Sequence, residues 1–310
     1  MIPSINVMQN RLRLRQLVLI TTINELRSLR KVAEAMHLSQ PAATKMLQEI
    51  EETLGVRLFE RLPKGMLPTP FGESVIIYAD MMLADLGKLR EKLAVQAEGG
   101  VGIIALGSIP TPISGLLTDT IVATKKRFPR LKISVLIETS DALIQLLEQG
   151  KLDVVLARLT DQARLDQLHF EFLSNEMLSV VAAANHPMAQ AKQLTLAELV
   201  QFPWALQPLS TPMRQLLERA FQEAGVATPK EQVETNSSVL IASLLQASPM
   251  IAILPRTIAM DYVAAGALCI LPVQINFPLE PYGIITRKER LADPALSHFL
   301  SCLREQAAEK

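Results

Sequence analysis

The chain has 310 residues, enough for two or three domains at roughly 100–200 residues each, and 49% of them are hydrophobic while only 4% are aromatic. Its zero net charge hides an asymmetry: residues 1–72 hold 10 Lys/Arg against 6 Asp/Glu, and the remainder holds 21 against 25. Two cysteines, Cys269 and Cys302, and four dispersed histidines argue against a disulfide framework or a metal site, and a basic front fits a localised polyanion-binding module. No cofactor is expected.

The N-terminus lacks the apolar core of a secretory signal. No apolar run approaches the roughly 18–20 residues that span a bilayer. No membrane association and a cytoplasmic location are therefore expected.

Leu14, Leu17, Val18 and Thr21 recur at helical spacing and predict a helix near 12–25. A second is predicted at 28–36 behind Ser28, with Leu29, Val32, Ala33 and Met36 on one face. His37-Leu38 makes a break. Ser39 can cap a third helix that tolerates Pro41 in its first turn and ends at Gly55. With Ala43, Met46, Leu47, Ile50 and Leu54 inward, Gln40, Thr44, Lys45 and Gln48 face outward. Gln suits adenine, Lys suits guanine or phosphate, and the Thr methyl suits thymine. Ser39 and Gln40 lie at the helix N-terminus, where free N–H groups favour phosphate, and Pro41 follows them in the proposed DNA-facing first turn. Segments 57–61 and 66–69 predict a hairpin that places Arg61 and Lys64 beyond the helix, in reach of the DNA backbone or a minor groove. The alternative is a surface amphipathic helix with solvated polar residues.

The stretch SLRKVAEAMHLSQPAATKMLQEIEETLGVRLFERLPKGMLPTPFG closely resembles the winged helix-turn-helix of the LysR-type transcriptional regulators, with its L-S-Q-P-A turn, L-G-x-x-L-F-x-R strand and Thr-x-x-Gly entry to a linker. ALGS at 105–108 and LDVVLAR at 152–158 are also family-like. The resemblance implies a two-lobed, periplasmic-binding-protein-like effector domain and a homotetramer built as a dimer of dimers. Thr44 replaces a common Ser, and Ser248-Pro249-Met250 replaces a glycine-rich turn that the family places beside the cleft.

Thr69-Pro70 reads as a helix start. The helix to about 97 carries Val75, Ala79, Met82, Leu86, Leu89 and Leu93 at spacings of four and three, the seam of a coiled coil. A dimerising linker is the reading adopted; packing on the chain's own core is its alternative. From 101 the pattern alternates strands (101–108, 131–139, 152–159, 177–184, 231–235, 250–255, 281–288) with helices (112–128, 140–149, 195–201, 211–224, 238–247, 256–265, 294–307). This predicts an α/β region of parallel sheets covered on both faces.

The expected organisation is a winged helix-turn-helix domain at 1–72, a linker helix at 73–98 and an effector domain at 99–310. Lobe 1 takes about 101–172 and 276–310, and lobe 2 about 173–275. Ligands in such lobes bind beyond the strands' C-terminal ends. That nominates Ser108, Thr111, Thr139, Ser140 and Ser237, with Arg158 as countercharge and Gln207 on the wall formed by 203–208. Hydroxyls at helix starts are also ordinary caps, and Arg158 has Asp153 and Asp161 as alternative partners. The expectation is a small acidic effector, a carboxylate or sulfonate with an aromatic one among the candidates, and an interrupted palindrome in double-stranded DNA. The alternative is a cytosolic two-lobed enzyme or binding protein acting on a small acidic metabolite, but no GxSxG, P-loop or GxGxxG motif supports catalysis.

Overall fold

The computed structural model describes residues 3–63, 65–97, 102–159, 161–273, 279–288 and 294–308, with Gln162 and Ala163 described by backbone alone. The chain divides into two compact units, Met1–Ile103 with Gln145–Asp153, and Ile104–Ile144 with Val154–Lys310.

The first unit begins with α1 (Ile5–Arg11), which the sequence pattern did not predict, and α2 (Leu14–Leu26). The predicted face of α2 is corrected: Leu14 and Val18 are exposed, and Gln16, Leu17, Leu19, Ile20 and Ile23 are buried. Both stripes are apolar at helical spacing, so only the packing partners choose between them. α3 (Leu29–Ala35) buries Leu29, Val32 and Ala33. It closes through a left-handed His37 at φ 54°, with Leu38 N–H donating to the Ala33 carbonyl at 2.8 Å and His37 N–H to the Glu34 carbonyl at 3.2 Å. That crossed pair is the Schellman closure. α4 (Gln40–Leu54) is capped by Ser39, whose Oγ accepts from Ala42 N–H, and ends at a left-handed Gly55. Ala43, Leu47, Ile50 and Leu54 join one core with α2 and α3 residues, and Met46 packs against it.

β1 (Phe59–Leu62) and β2 (Gly65–Pro68) form the antiparallel wing. Glu51 ties it to α4 by accepting from the N–H groups of Leu58 (2.7 Å) and Phe59 (3.3 Å). The α2–α3 turn holds its tip: Met66 N–H donates to the Arg27 carbonyl at 2.8 Å, and a Cβ on Gly65 would lie 2.4 Å from that oxygen. Thr69 starts α5 (Pro70–Ala97) by accepting from Gly72 N–H and donating to the Arg57 carbonyl. Gly72 is required there because a Cβ would meet the Leu58 carbonyl at 2.0 Å.

α5 has 28 residues and runs about 42 Å at 1.5 Å per residue. Along its seam Ala79 is buried and Val75 packs on this unit's core, whereas Met82, Leu86, Leu89 and Leu93 are between 45% and 58% exposed. The start of the seam is covered within the chain; the rest is bare.

The second unit holds two five-stranded sheets, ordered β4-β3-β5-β12-β6 and β11-β7-β10-β8-β9. The first contains β3 (Gly102–Ser108), β4 (Leu131–Ile137), β5 (Val154–Arg158), β6 (Leu168–Ser174) and β12 (Tyr282–Arg287). The second contains β7 (Leu178–Ala183), β8 (Trp204–Leu206), β9 (Gln232–Glu234), β10 (Ile251–Pro255) and β11 (Leu268–Ile270). The expectation of parallel sheets is corrected. β3 is parallel to β5, and β8 to β9 and β10, but β12 runs antiparallel to β5 and β6, as does β7 to β10 and β11. The chain returns from the second sheet to insert β12 in the first, which reverses its direction.

In the second sheet period-two alternation places β7, β8 and β10 between two cores. In the second sheet Val180, Ala182, Trp204, Leu206, Ile251 and Ile253 pack with α8 (Leu196–Leu199) and α9 (Pro212–Glu223). Val181, Ala205, Ala252 and Leu254 face α10 (Ser238–Ala247) and α11 (Arg256–Ala264). In the first sheet Ile104, Leu106, Val154, Leu156 and Ile284 pack against α12 (Pro294–Ala308), through Leu296, Phe299, Leu300 and Leu303. The helix expected at 112–128 is broken: Ser114 (ψ 115°) and Gly115 (φ 86°) leave helical geometry, and α6 (Thr118–Arg127) begins after them. α7 (Ser140–Glu148) follows β4. Strands β6, β8 and β11 were not anticipated. No helix among the described residues is long and apolar enough to cross a membrane.

Candidate nucleic-acid interface and ligand cavity

On α4 the inward residues leave one polar flank free. Ser39, Gln40, Pro41, Lys45 and Gln48 are exposed, and Thr44 is half-buried. The Thr44 hydroxyl donates to the Gln40 carbonyl at 3.0 Å. Arg61 is exposed on the wing. Lys64 lies outside the described residues. A capped helix with a polar face, followed by a basic two-stranded wing, is the geometry by which a winged helix-turn-helix enters the major groove.

The second unit contains a cavity of about 460 Å³, within the roughly 300–1,000 Å³ of small-molecule sites. It lies at the C-terminal ends of β3, β5, β8 and β10 and at the starts of α7, α9 and α10. Thr111, Thr139, Ser140, Arg158, Gln207 and Ser237 all line it. Ser108 does not: it is fully buried, and its hydroxyl donates to the Ile109 carbonyl at 2.8 Å. The Ser248-Pro249-Met250 turn also lies away from this lining. It is fastened by His186, whose Nε2 meets the Pro249 carbonyl at 3.2 Å while Nδ1 accepts from Met188 N–H at 3.1 Å. With Nδ1 accepting, Nε2 carries the proton and the ring is neutral. Burial pushes the His186 pKa down, partly opposed by the Pro249 bond.

Several of the hydroxyls are occupied locally. Ser140 Oγ accepts from Arg158 N–H at 3.1 Å, which fixes the end of β5 against α7. Ser237 Oγ accepts from Leu240 N–H and caps α10. The Gln207 carbonyl accepts from buried Arg214 at 2.9 Å, and Arg214 also reaches Glu218 and Gln232.

The side chain that sequence reasoning missed is Glu176, in the connection from β6 to β7. It lines the cavity and forms an ion pair with Arg158. Each residue is 8% exposed. Asp161 instead meets Arg164 at 3.7 Å, and Asp153 meets Lys88, so neither alternative partner for Arg158 holds. Thr111 Oγ1 donates to Glu176 Oε1 at 2.7 Å. Burial lowers the Arg158 pKa to about 10, opposed by Glu280 and Tyr282; the guanidinium stays charged at neutral pH. Arg158 is therefore not a free countercharge. No pattern around Glu176 announces the pair, because its partner ends a strand elsewhere in the chain. The described residues contain no cluster of His, Cys, Asp and Glu able to hold a metal ion.

Comparison with known proteins matches both regions. The bacterial regulatory helix-turn-helix protein model of the lysR family covers residues 14–73, and the LysR substrate binding domain model covers residues 97–308. The HTH-type transcriptional regulator GbpR of Azospirillum brasilense is 33% identical over 97% of this chain and 88% of its own. The HTH-type transcriptional regulator GalR of Pseudomonas putida is 29% identical over 96% of this chain and 74% of its own. Among solved structures, CbnR, a LysR family transcriptional regulator, superposes with a TM-score of 0.62 at 22% identity, covering 96% of this chain and 99% of that one. Full-length CbnR complexed with its target DNA gives 0.61 at the same identity, over 95% and 100%. The chain belongs to the LysR family of transcriptional regulators, a DNA-binding helix-turn-helix protein with an effector-binding domain rather than an enzyme.

Proposed function

We propose that the chain acts in the cytoplasm as a homotetramer, a dimer of dimers, that reads an interrupted palindrome and changes its grip on DNA when a small organic effector fills the 460 Å³ cavity. The observation that carries the DNA part is the free flank of α4: Gln40, Lys45 and Gln48 exposed on a helix whose other side is core. Gln48 and Gln40 read base edges, Thr44 offers a methyl, and Ser39, Pro41 and Lys45 lie at the sugar–phosphate backbone, with Arg61 and Lys64 on the wing. The stretch of α5 from Met82 to Leu93 supports pairing of two chains, because four large apolar residues at seam spacing are about half exposed among the described residues of one chain.

The proposed domain plan divides the chain at 72 and 98, with lobe 1 taking about 101–172 and 276–310 and lobe 2 about 173–275. The cavity draws its lining from both sheets, so a ligand that touches both lobes favours one relative placement over another. An effector can shift the regulator only through such differential contact. The expectation of an acidic effector rests on the polar strand-to-helix junctions and the family resemblance; Arg158, paired with Glu176, adds no free countercharge to it. Selection from a randomised duplex pool by the full chain tests the reading. The expected product is an inverted repeat with half-sites separated by whole helical turns. Enrichment of an unrepeated site, or of no sequence, contradicts it.

A further inference from the structure

The charge inside the cavity constrains what can enter it. Arg158 and Glu176 are both more than nine-tenths buried, both line the cavity and pair with each other. Glu138, at the end of β4, adds a second carboxylate to the lining. One guanidinium thus faces two carboxylates. A simple anion finds no unpaired positive side chain there. An anion that accepts from Arg158 adds a further negative charge beside Glu176 and Glu138, and like charges crowded at a buried site disfavour one another. A cation fails on the other count. Arg158 Nε is buried with no hydrogen-bond partner among the described residues, and only an acceptor satisfies it.

A hydroxyl meets both demands. It carries one donor and two lone pairs, so it can accept from Arg158 and donate to Glu176 or Glu138 without altering the charge balance. Bonds to ionised groups are also the stronger kind. Gln207 and Asn236 supply neutral amides to the same lining, while Ile137, Val239 and Leu279 supply apolar surface. Resting on the effector reading above, we propose that the ligand of this cavity is a neutral polyhydroxylated compound of monosaccharide size, and that Glu176 is the residue that sets this preference against acids.

The full-length chain is titrated by calorimetry and thermal melting with three groups of probes at millimolar concentration. These are neutral aldoses and cyclitols, aliphatic and aromatic monocarboxylates and sulfonates, and amino acids. At least one polyol is expected to give saturable heat and raise the melting temperature, and the acids to give neither. Glu176→Gln keeps the shape and removes the charge. It is expected to weaken the polyol on the order of tenfold or more and to let monocarboxylates bind. Should Glu176→Gln fail to fold, Glu138→Gln at the exposed end of β4 is expected to weaken the polyol several-fold.

Absence of a response to every polyol overturns the proposal, whatever the acids do. So does a polyol whose binding is unchanged in both carboxylate variants. Gln207→Trp, which fills the cavity, separates this failure from failure of the effector reading. An acid that binds the parent and is lost in Gln207→Trp overturns the ligand class and leaves the site standing. A ligand that binds Gln207→Trp as well as the parent overturns both.

Discussion

The flank of α4 and the lining of the cavity are both polar, yet they are built in opposite ways. On α4 the polar side chains are left without tertiary partners: Gln40, Lys45 and Gln48 point into solvent from a helix held by Ala43, Leu47 and Ile50. In the cavity the polar groups hold one another: Thr111 on Glu176, Glu176 on Arg158, Arg158 N–H on Ser140. A surface made to meet a polyanion keeps its donors free, since phosphate supplies the missing charge. A cavity made for a small molecule must satisfy its charges before the ligand arrives, because buried unpaired ions are so unfavourable.

Unbalancing the buried pair is expected to have the largest effect. Glu176→Leu alone is expected to cost roughly 3–5 kcal/mol in stability, measured by denaturant unfolding, because Arg158 is left charged and dry. Adding Arg158→Met is expected to return most of that loss, since an apolar pair of similar volume is often neutral or better. Losses that simply add would show that the two side chains do not depend on each other.

Next in size is the bare seam. Leu86→Asp puts a carboxylate in the middle of Met82, Leu89 and Leu93, and sedimentation is expected to show loss of the dimer with each chain still folded. A variant that sediments like the parent removes the seam from the assembly. Ala79 is already covered within the chain, so Ala79→Asp is expected to unfold its unit instead of only separating chains.

The His186 tie gives a smaller, pH-dependent effect. Its folded pKa lies below the ordinary value of 6.5 because of burial, so below that pH the unfolded chain binds more protons than the folded one. Stability is expected to be full above pH 6.5 and to fall as the pH drops below it. His186→Gln is expected to flatten that slope; an unchanged slope places the titrating group elsewhere. The smallest effect is expected at the ion pair between Arg304 on α12 and Glu171 on β6, at 2.7 Å but half-exposed. Arg304→Ala is expected to cost less than about 1 kcal/mol in the same unfolding measurement.

What the chain disclosed by itself follows the same division. The α4 face, its Ser39 cap and its Gly55 stop are legible because helix periodicity and capping are local. The wing and Gly72 were legible as a motif, and the structure adds the reason: a Cβ at Gly72 would strike the Leu58 carbonyl. The α2 face was misread because Leu14, Leu17 and Val18 make as good a stripe as Leu17, Ile20 and Ile23, and only the core decides. β6 had a usable signal, Leu168, Phe170 and Phe172 alternating with His169 and Glu171. β8 and β11, at three residues each, had none. Glu176 was illegible in principle. A lone acidic residue in a connection acquires meaning only when folding carries it to Arg158.

The exposed side of α4 is proposed to lie in the major groove, and a pair of substitutions tests that placement without touching the core. DNA affinity of the full chain is measured against salt and across single-base changes in its selected site. Gln48→Ala is expected to lose about 1–3 kcal/mol of discrimination at one base position and keep the salt slope. Lys45→Ala is expected to weaken all duplexes alike and reduce the slope by about one. Parental affinity, slope and base preference in both variants would contradict the assignment of α4 as the reading helix.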